Sequence, residues 1–221
     1  MRLLLPLALA AVALAPRPAA AQPDDRIFPY EYHVRDLDNG LRVVVIPTDF
    51  PNIVSLQIPV ATGSRNEVEE GRSGFAHFFE HMMFRGTENR SAEEYQAVLK
   101  NIGGDQNAYT TDDRTVYHTT FSAEDLETML ELEADRFMHL AYAEPEFRTE
   151  ALAVLGEYNK NSADPLNKLI EVQRESAFQR HTYRHTTMGF LEDIEAMPEA
   201  YDYSREFFRR YYRPENAVVL I

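Results

Sequence analysis

No cysteine occurs among the 221 residues. A chain without one forms no disulfide even in an oxidising compartment, and a thiol nucleophile or a cysteine-ligated metal is excluded. Basic residues are few: 22 Lys and Arg stand against 36 Asp and Glu, a formal net charge of −14. That balance disfavours nucleic-acid binding and attracts basic peptides at low salt, and most of it describes a solvated surface. Low-complexity tracts, Gly/Ser linkers and internal repeats are absent after the first 21 residues, and residues 22–221 suffice for one domain with a sizeable core.

Residues 1–21 hold no acid, begin with Arg2, run apolar over 3–14 and close on Ala19-Ala20-Ala21. This reads as a secretory signal peptide cleaved before Gln22. The run falls short of the roughly 20 residues needed to span a bilayer and contains Pro6, so no stable membrane insertion is expected after cleavage. A mitochondrial presequence would be amphipathic and rich in Ser and Arg. The mature protein is therefore expected outside the cytoplasm.

The chemistry concentrates in Ser73-Gly74-Phe75-Ala76-His77-Phe78-Phe79-Glu80-His81-Met82-Met83-Phe84. At about 100° per residue, His77, Glu80, His81 and Phe84 share one sector of a helix and Phe and Met residues cover the rest. A helix apolar nearly all round is normally buried, and two imidazoles and a carboxylate inside it need partners, at roughly 1–3 kcal/mol per unsatisfied group. A metal ion satisfies them. Histidines four apart stand one turn above each other and can present ring nitrogens to one cation. Glu80 lies beside them and can take a proton from water without ligating. His-x-x-Glu-His is the inverted zinc-peptidase pattern. The bland alternative is a partly exposed helix with an ordinary Glu/His face, against which the flanking Phe and Met residues argue.

A two-histidine zinc site needs a third protein ligand and an open position. It is expected on the helix opened by Glu144-Pro145, whose buried stripe is Phe147, Ala151, Val154, Leu155 and Tyr158. Glu150 and Glu157 sit seven apart at its edge; one could ligate while the other fixes the tautomer of a ligating histidine. Spacing does not choose between them, does not exclude Glu146, and leaves an i,i+3 pair of Glu157 with Lys160 as a surface reading.

Elsewhere, Asp38-Asn39-Gly40 between apolar runs signals a hairpin, and Val54, Leu56, Ile58 and Val60 alternate as a third strand. Gly86 is expected to end the histidine helix, Ser91 and Glu94 to form a capping box, and Ser122 with Asp125 to cap a helix running to about 142. A strand is expected over 115–121. Asp164-Pro165 should interrupt the helix, which resumes through Leu166, Leu169, Ile170, Val172 and Phe178, and a last helix is expected over 198–212. His118, His139, Glu133 and the group around His181 and His185 read as structural.

Gly63-Ser64-Arg65-Asn66-Glu67, the helix just described with Arg85-Gly86-Thr87 after it, and Gly103-Gly104-Asp105-Gln106-Asn107-Ala108-Tyr109-Thr110 together resemble the pitrilysin/insulinase family of zinc peptidases, which includes the mitochondrial processing peptidases. The likeness runs from about residue 36 to the last. It implies an α+β fold, a mainly antiparallel sheet covered by helices, forming one active half of a clam-shell peptidase. It implies Zn²⁺ held by His77, His81 and Glu157, with Glu80 as general base and Glu150 assisting catalysis. It further implies that a peptide substrate lies extended along an edge strand at Asn107 and Ala108. The chain stops inside an apolar run at 217–221, so residues 22–221 are expected to be an N-terminal peptidase domain truncated at its last strand, lacking the homologous C-terminal domain or partner subunit that closes the chamber. With the leader, the resemblance implies a bacterial periplasmic zinc endopeptidase; a non-catalytic peptide-binding or scaffold homologue is the alternative.

Overall fold

Apolar alternation builds the sheet and a 3.6-residue period builds its cover. The computed structural model describes residues 28–221; the expected leader, residues 1–21, lies outside them. Among the described residues are six strands, β1 His33–Asp36, β2 Arg42–Val45, β3 Ile53–Val60, β4 Asp105–Thr110, β5 Thr115–Ser122 and β6 Val218–Leu220. Seven α-helices join them: α1 Phe75–Met82, α2 Ala92–Asn101, α3 Leu126–His139, α4 Glu144–Asn161, α5 Pro165–Ala177, α6 Leu191–Ala196 and α7 Tyr201–Tyr211. The fold is α+β.

Residues 31–221 make one unit around a single sheet in the order β1-β2-β6-β3-β5-β4. The Asn-Gly turn holds Gly40 at φ +87°, and β1 pairs antiparallel with β2, Asp36 opposite Arg42. The last strand slots between earlier ones: β6 runs parallel to β2 and antiparallel to β3. The remaining pairs are antiparallel, and β4 is an edge strand bonded to β5, with Asn107 opposite His118 and Thr110 opposite Thr115.

Two apolar clusters hold the helices on. The larger gathers Phe75, Phe78, Phe79 and Met82 of α1 with Phe147, Ala151 and Val154 of α4, Phe207 of α7 and Tyr117 of β5. Burying each such phenylalanine stabilises by roughly 1.5–3 kcal/mol, which fixes α1 against β4, β5 and α4. The Tyr117 hydroxyl also donates to the Phe79 carbonyl at 3.1 Å. The smaller cluster sets Leu56 and Ile58 of β3 against Tyr95 and Leu99 of α2 and Met129 and Leu132 of α3.

Several boundaries differ from expectation. Gly86 does not cap α1: the helix stops at Met82, and the amides of Met83, Phe84 and Arg85 take the carbonyls of Phe79, His81 and Met82 in a tightening turn. Ser122 makes no side-chain cap; a short 3₁₀ turn over Ala123–Asp125 precedes α3. That helix ends at His139 because Leu140 turns extended and bridges to Thr87. Pro198 falls in a 3₁₀ turn ahead of α7. On α5, Leu166, Leu169 and Val172 are exposed by 53–63% and Ile170 is half-buried.

Candidate metal centre

Helix α1 brings His77 and His81 onto one face, their rings 4.7 Å apart and near perpendicular. Helix α4 packs on α1 through Phe147 and Phe78 and swings Glu157 toward them. Its Oε2 lies 3.6 Å from His77 Nε2 and 3.3 Å from His81 Nε2. Among the described residues these three form the group whose ligand atoms all lie within 4.8 Å of one another.

The spacing suits a small cation. Tetrahedral metal–ligand bonds of 2.0–2.1 Å place neighbouring donor atoms about 3.4 Å apart, and the two Glu157 distances bracket that value. Two imidazoles and one carboxylate are a zinc-hydrolase donor set. Burial, with His81 adding to it, pulls His77 down to about 4, so its ring is neutral near pH 7, as a ligand must be.

Glu150 stands behind the group and not in it. Its Oε1 lies 2.9 Å from His81 Nδ1, and its Oε2 accepts the Arg85 guanidinium, with Nε at 2.7 Å. Burial pushes Glu150 upward, but the His81 and Arg85 hydrogen bonds together outweigh it and hold the carboxyl below its ordinary range. An ionised carboxylate only accepts. His81 Nδ1 therefore carries a proton toward Glu150, which leaves Nε2, facing Glu157, as the ring atom that a metal would take, the arrangement of a carboxylate–histidine–metal triad. The Glu150 bond in turn raises the His81 pKa.

Glu80 faces β4 and remains within reach of the charges of His81 and Glu157. The Thr110 hydroxyl donates to its Oε2 at 2.6 Å; burial raises the carboxyl and that bond opposes the rise. Asn107 and Ala108 lie on the same edge strand. Ala108 is packed in the core, 8% exposed, and its N–H is taken by Asn107 Oδ1 at 2.9 Å. Glu146 is removed as a metal candidate because its carboxylate accepts the Ala143 N–H at 2.7 Å, capping α4. The partners of Glu157 are the two imidazoles rather than Lys160. Sequence reasoning missed Arg85 and the hydroxyl of Thr110. Arg85 carried a usable signal, its position four residues beyond His81.

Residues 42–190 match the family model described as Insulinase (Peptidase family M16). The chain belongs to the insulinase family. This insulinase-family chain is 34% identical over 187 residues to the protein named zinc protease PqqE of Helicobacter pylori, covering 84% of this chain and 41% of that one. It superposes on the crystal structure of a protease from Helicobacter pylori with a TM-score of 0.83 at 34% identity, covering 86% of this chain and 46% of that chain. The first half of the periplasmic protease PqqL from Escherichia coli gives a TM-score of 0.73 at 26% identity over 86% of this chain and 42% of that chain. The chain thus spans less than half the length of these relatives, and their half-domains share its α+β architecture.

Proposed function

We propose that this chain is the active half of a zinc-dependent endopeptidase that hydrolyses peptides or small unfolded proteins bound as an added edge strand. The observation that carries it is the convergence of His77, His81 and Glu157 from two helices onto one point, with Glu80 beside them. His77, His81 and Glu157 would hold the ion. When bound, zinc supplies Lewis acidity to a carbonyl and to water, whose pKa it lowers to roughly 7. Glu80 accepts the proton of the attacking water and returns it to the leaving amine. Burial raises its carboxyl, which makes it the stronger proton acceptor. Glu150 and Arg85 keep His81 in its ligating tautomer. The edge of β4 offers backbone groups to an extended peptide at Asn107 and Ala108 once the Asn107 side chain gives up the Ala108 N–H it holds, which gives affinity without demanding one sequence.

The relatives are named zinc proteases or proteases, which supports peptidase chemistry. A second, homologous half or partner subunit would close the chamber and supply the remaining contacts to substrate. The apolar run at 3–14 and the description of the PqqL neighbour as periplasmic support a periplasmic location, and no helix among the described residues is long and apolar enough to cross a membrane.

In the full-length protein, Glu80→Gln should retain zinc and lose cleavage of a fluorogenic peptide by at least about 10²-fold, the scale of general acid–base catalysis. Cleavage at the wild-type rate sinks the assigned base. Glu157→Gln should release zinc, measured by atomic absorption after dialysis; unchanged content discards it as a ligand. A non-catalytic homologue is the reading that survives if the wild type holds zinc and cleaves no peptide.

A further inference from the structure

Helix α1 starts without a cap of its own. Its N-cap is Gly74, at φ +91°, which has no side chain to accept a hydrogen bond, and no acid stands in the first turn. Backbone N–H groups at a helix start need acceptors when buried, and here the turn that lacks them carries His77. The acceptor comes from outside the helix. Glu67, 4% exposed, places Oε2 2.9 Å from the Gly74 nitrogen and Oε1 2.7 Å from the Ala76 nitrogen. One carboxyl group thus meets two N–H donors at the positive end of the helix dipole.

Glu67 is itself held on three sides. Its N–H donates to the Ser64 carbonyl at 3.2 Å, and Arg65 N–H donates to the Asp112 carbonyl at 2.8 Å, tying the segment to the turn between β4 and β5. The Tyr211 hydroxyl of α7 donates to the Asn66 carbonyl at 3.0 Å. Beside it, Asp193 Oδ2 accepts both the N–H and the hydroxyl of Ser73 at 3.0 and 2.5 Å. The titratable groups that face the Glu67 carboxyl are Asp193, Tyr203 of α7 and His185, the last with Nδ1 3.7 Å away. Burial raises Glu67 to about 8 against the pull of the helix N–H donors.

We infer that Glu67 is a positioning residue for the metal centre: it fixes the first turn of α1, and through it the depth and rotation of His77 opposite Glu157. His81 has its own support in Glu150 and Arg85. His77 has no such partner, its buried Nδ1 making no hydrogen bond, so its orientation depends on the backbone that carries it. The role rests on the zinc reading above.

The test uses the full-length protein and two readouts: zinc affinity by competition with a chromophoric chelator, well below the unfolding temperature, and amide hydrogen exchange in the metal-free state. Glu67→Met, close in shape and without an acceptor, should weaken zinc binding 10–100-fold, the scale seen for residues that orient ligands. It should also speed exchange within 74–78 more than elsewhere. Glu67→Gln, which keeps one acceptor, should fall between it and the wild type and serves alone if the methionine variant does not fold. Leu99→Ala, in the smaller core cluster, lowers stability by another route and should keep wild-type zinc affinity. Folded Glu67 variants that bind zinc within twofold of wild type overturn the role, as does an equal loss in Leu99→Ala. A wild type that binds no zinc overturns the metal reading instead, and exchange within 74–78 still reports whether Glu67 fixes the turn.

Discussion

At the scale of single residues, the environment sets three neighbouring groups apart. His77 is pulled down by burial, His81 is pushed up by its bond to Glu150, and Glu80 is raised by burial. The sign for His77 follows from linkage: its folded pKa, about 4, lies below an unfolded value of roughly 6.5. The unfolded chain therefore binds the extra proton between them, and stability is present above pH ~6.5 and lost as pH falls toward ~4. Urea unfolding of the metal-free protein at several pH values should show this slope, and His77→Gln should flatten it. A slope identical in both proteins removes His77 as its source. Thr110 makes a second case. Thr110→Val deletes the donor to Glu80 at nearly constant shape and should lower kcat roughly tenfold or more, the cost of a hydrogen bond to a charged group, with KM little changed and Thr110→Ser restoring the rate. An effect confined to KM would place Thr110 in substrate binding instead.

At the scale of elements, α3 anchors the far end of α1. Arg136, 1% exposed, meets Glu133 one turn back, with Nε 3.1 Å from Oε2, and its Nη1 reaches the Met83 carbonyl at 3.4 Å. Glu133 also accepts the Tyr95 hydroxyl of α2 at 2.9 Å and Gln106 of β4 at 3.2 Å. The rings of Phe84, Tyr95, Tyr117 and Phe137 surround the guanidinium at 5.0–5.8 Å. Such a pair is costly to break on one side only. Arg136→Met leaves the Glu133 charge buried and should destabilise by roughly 3–5 kcal/mol, with the double variant carrying Glu133→Gln recovering part of the loss. Thermal unfolding of the single and double variants measures it, and a loss in Arg136→Met below about 1 kcal/mol would overturn the pair as an anchor of α1.

At the scale of the whole molecule, charge acts beyond any single contact. With 36 acids against 22 Lys and Arg, long-range attraction should raise the encounter rate of basic peptides and fade once the Debye length falls to about 8 Å at physiological salt. KM for a lysine-rich reporter peptide should therefore rise between low salt and about 0.3 M, while a neutral reporter changes little; equal responses would assign the effect to the site rather than the field.

The sequence determined what depends on local rules. Asn39-Gly40 specified the first hairpin, Ser91 and Glu94 the cap of α2, and the spacing of His77 and His81 their shared face of α1, because turns, caps and helical period are set by residues close in the chain. Periodicity over 166–172 correctly marked an apolar face but not its exposure, since a stripe does not say what covers it. Only the tertiary structure separated Glu157, Glu150 and Glu146 into partner of both imidazoles, support for His81 and helix cap. Only it paired Thr110 with Glu80 and Glu67 with the amides of Gly74 and Ala76. Those assignments depend on how α1, α4 and β4 pack, and packing is decided by contacts between residues far apart in the chain.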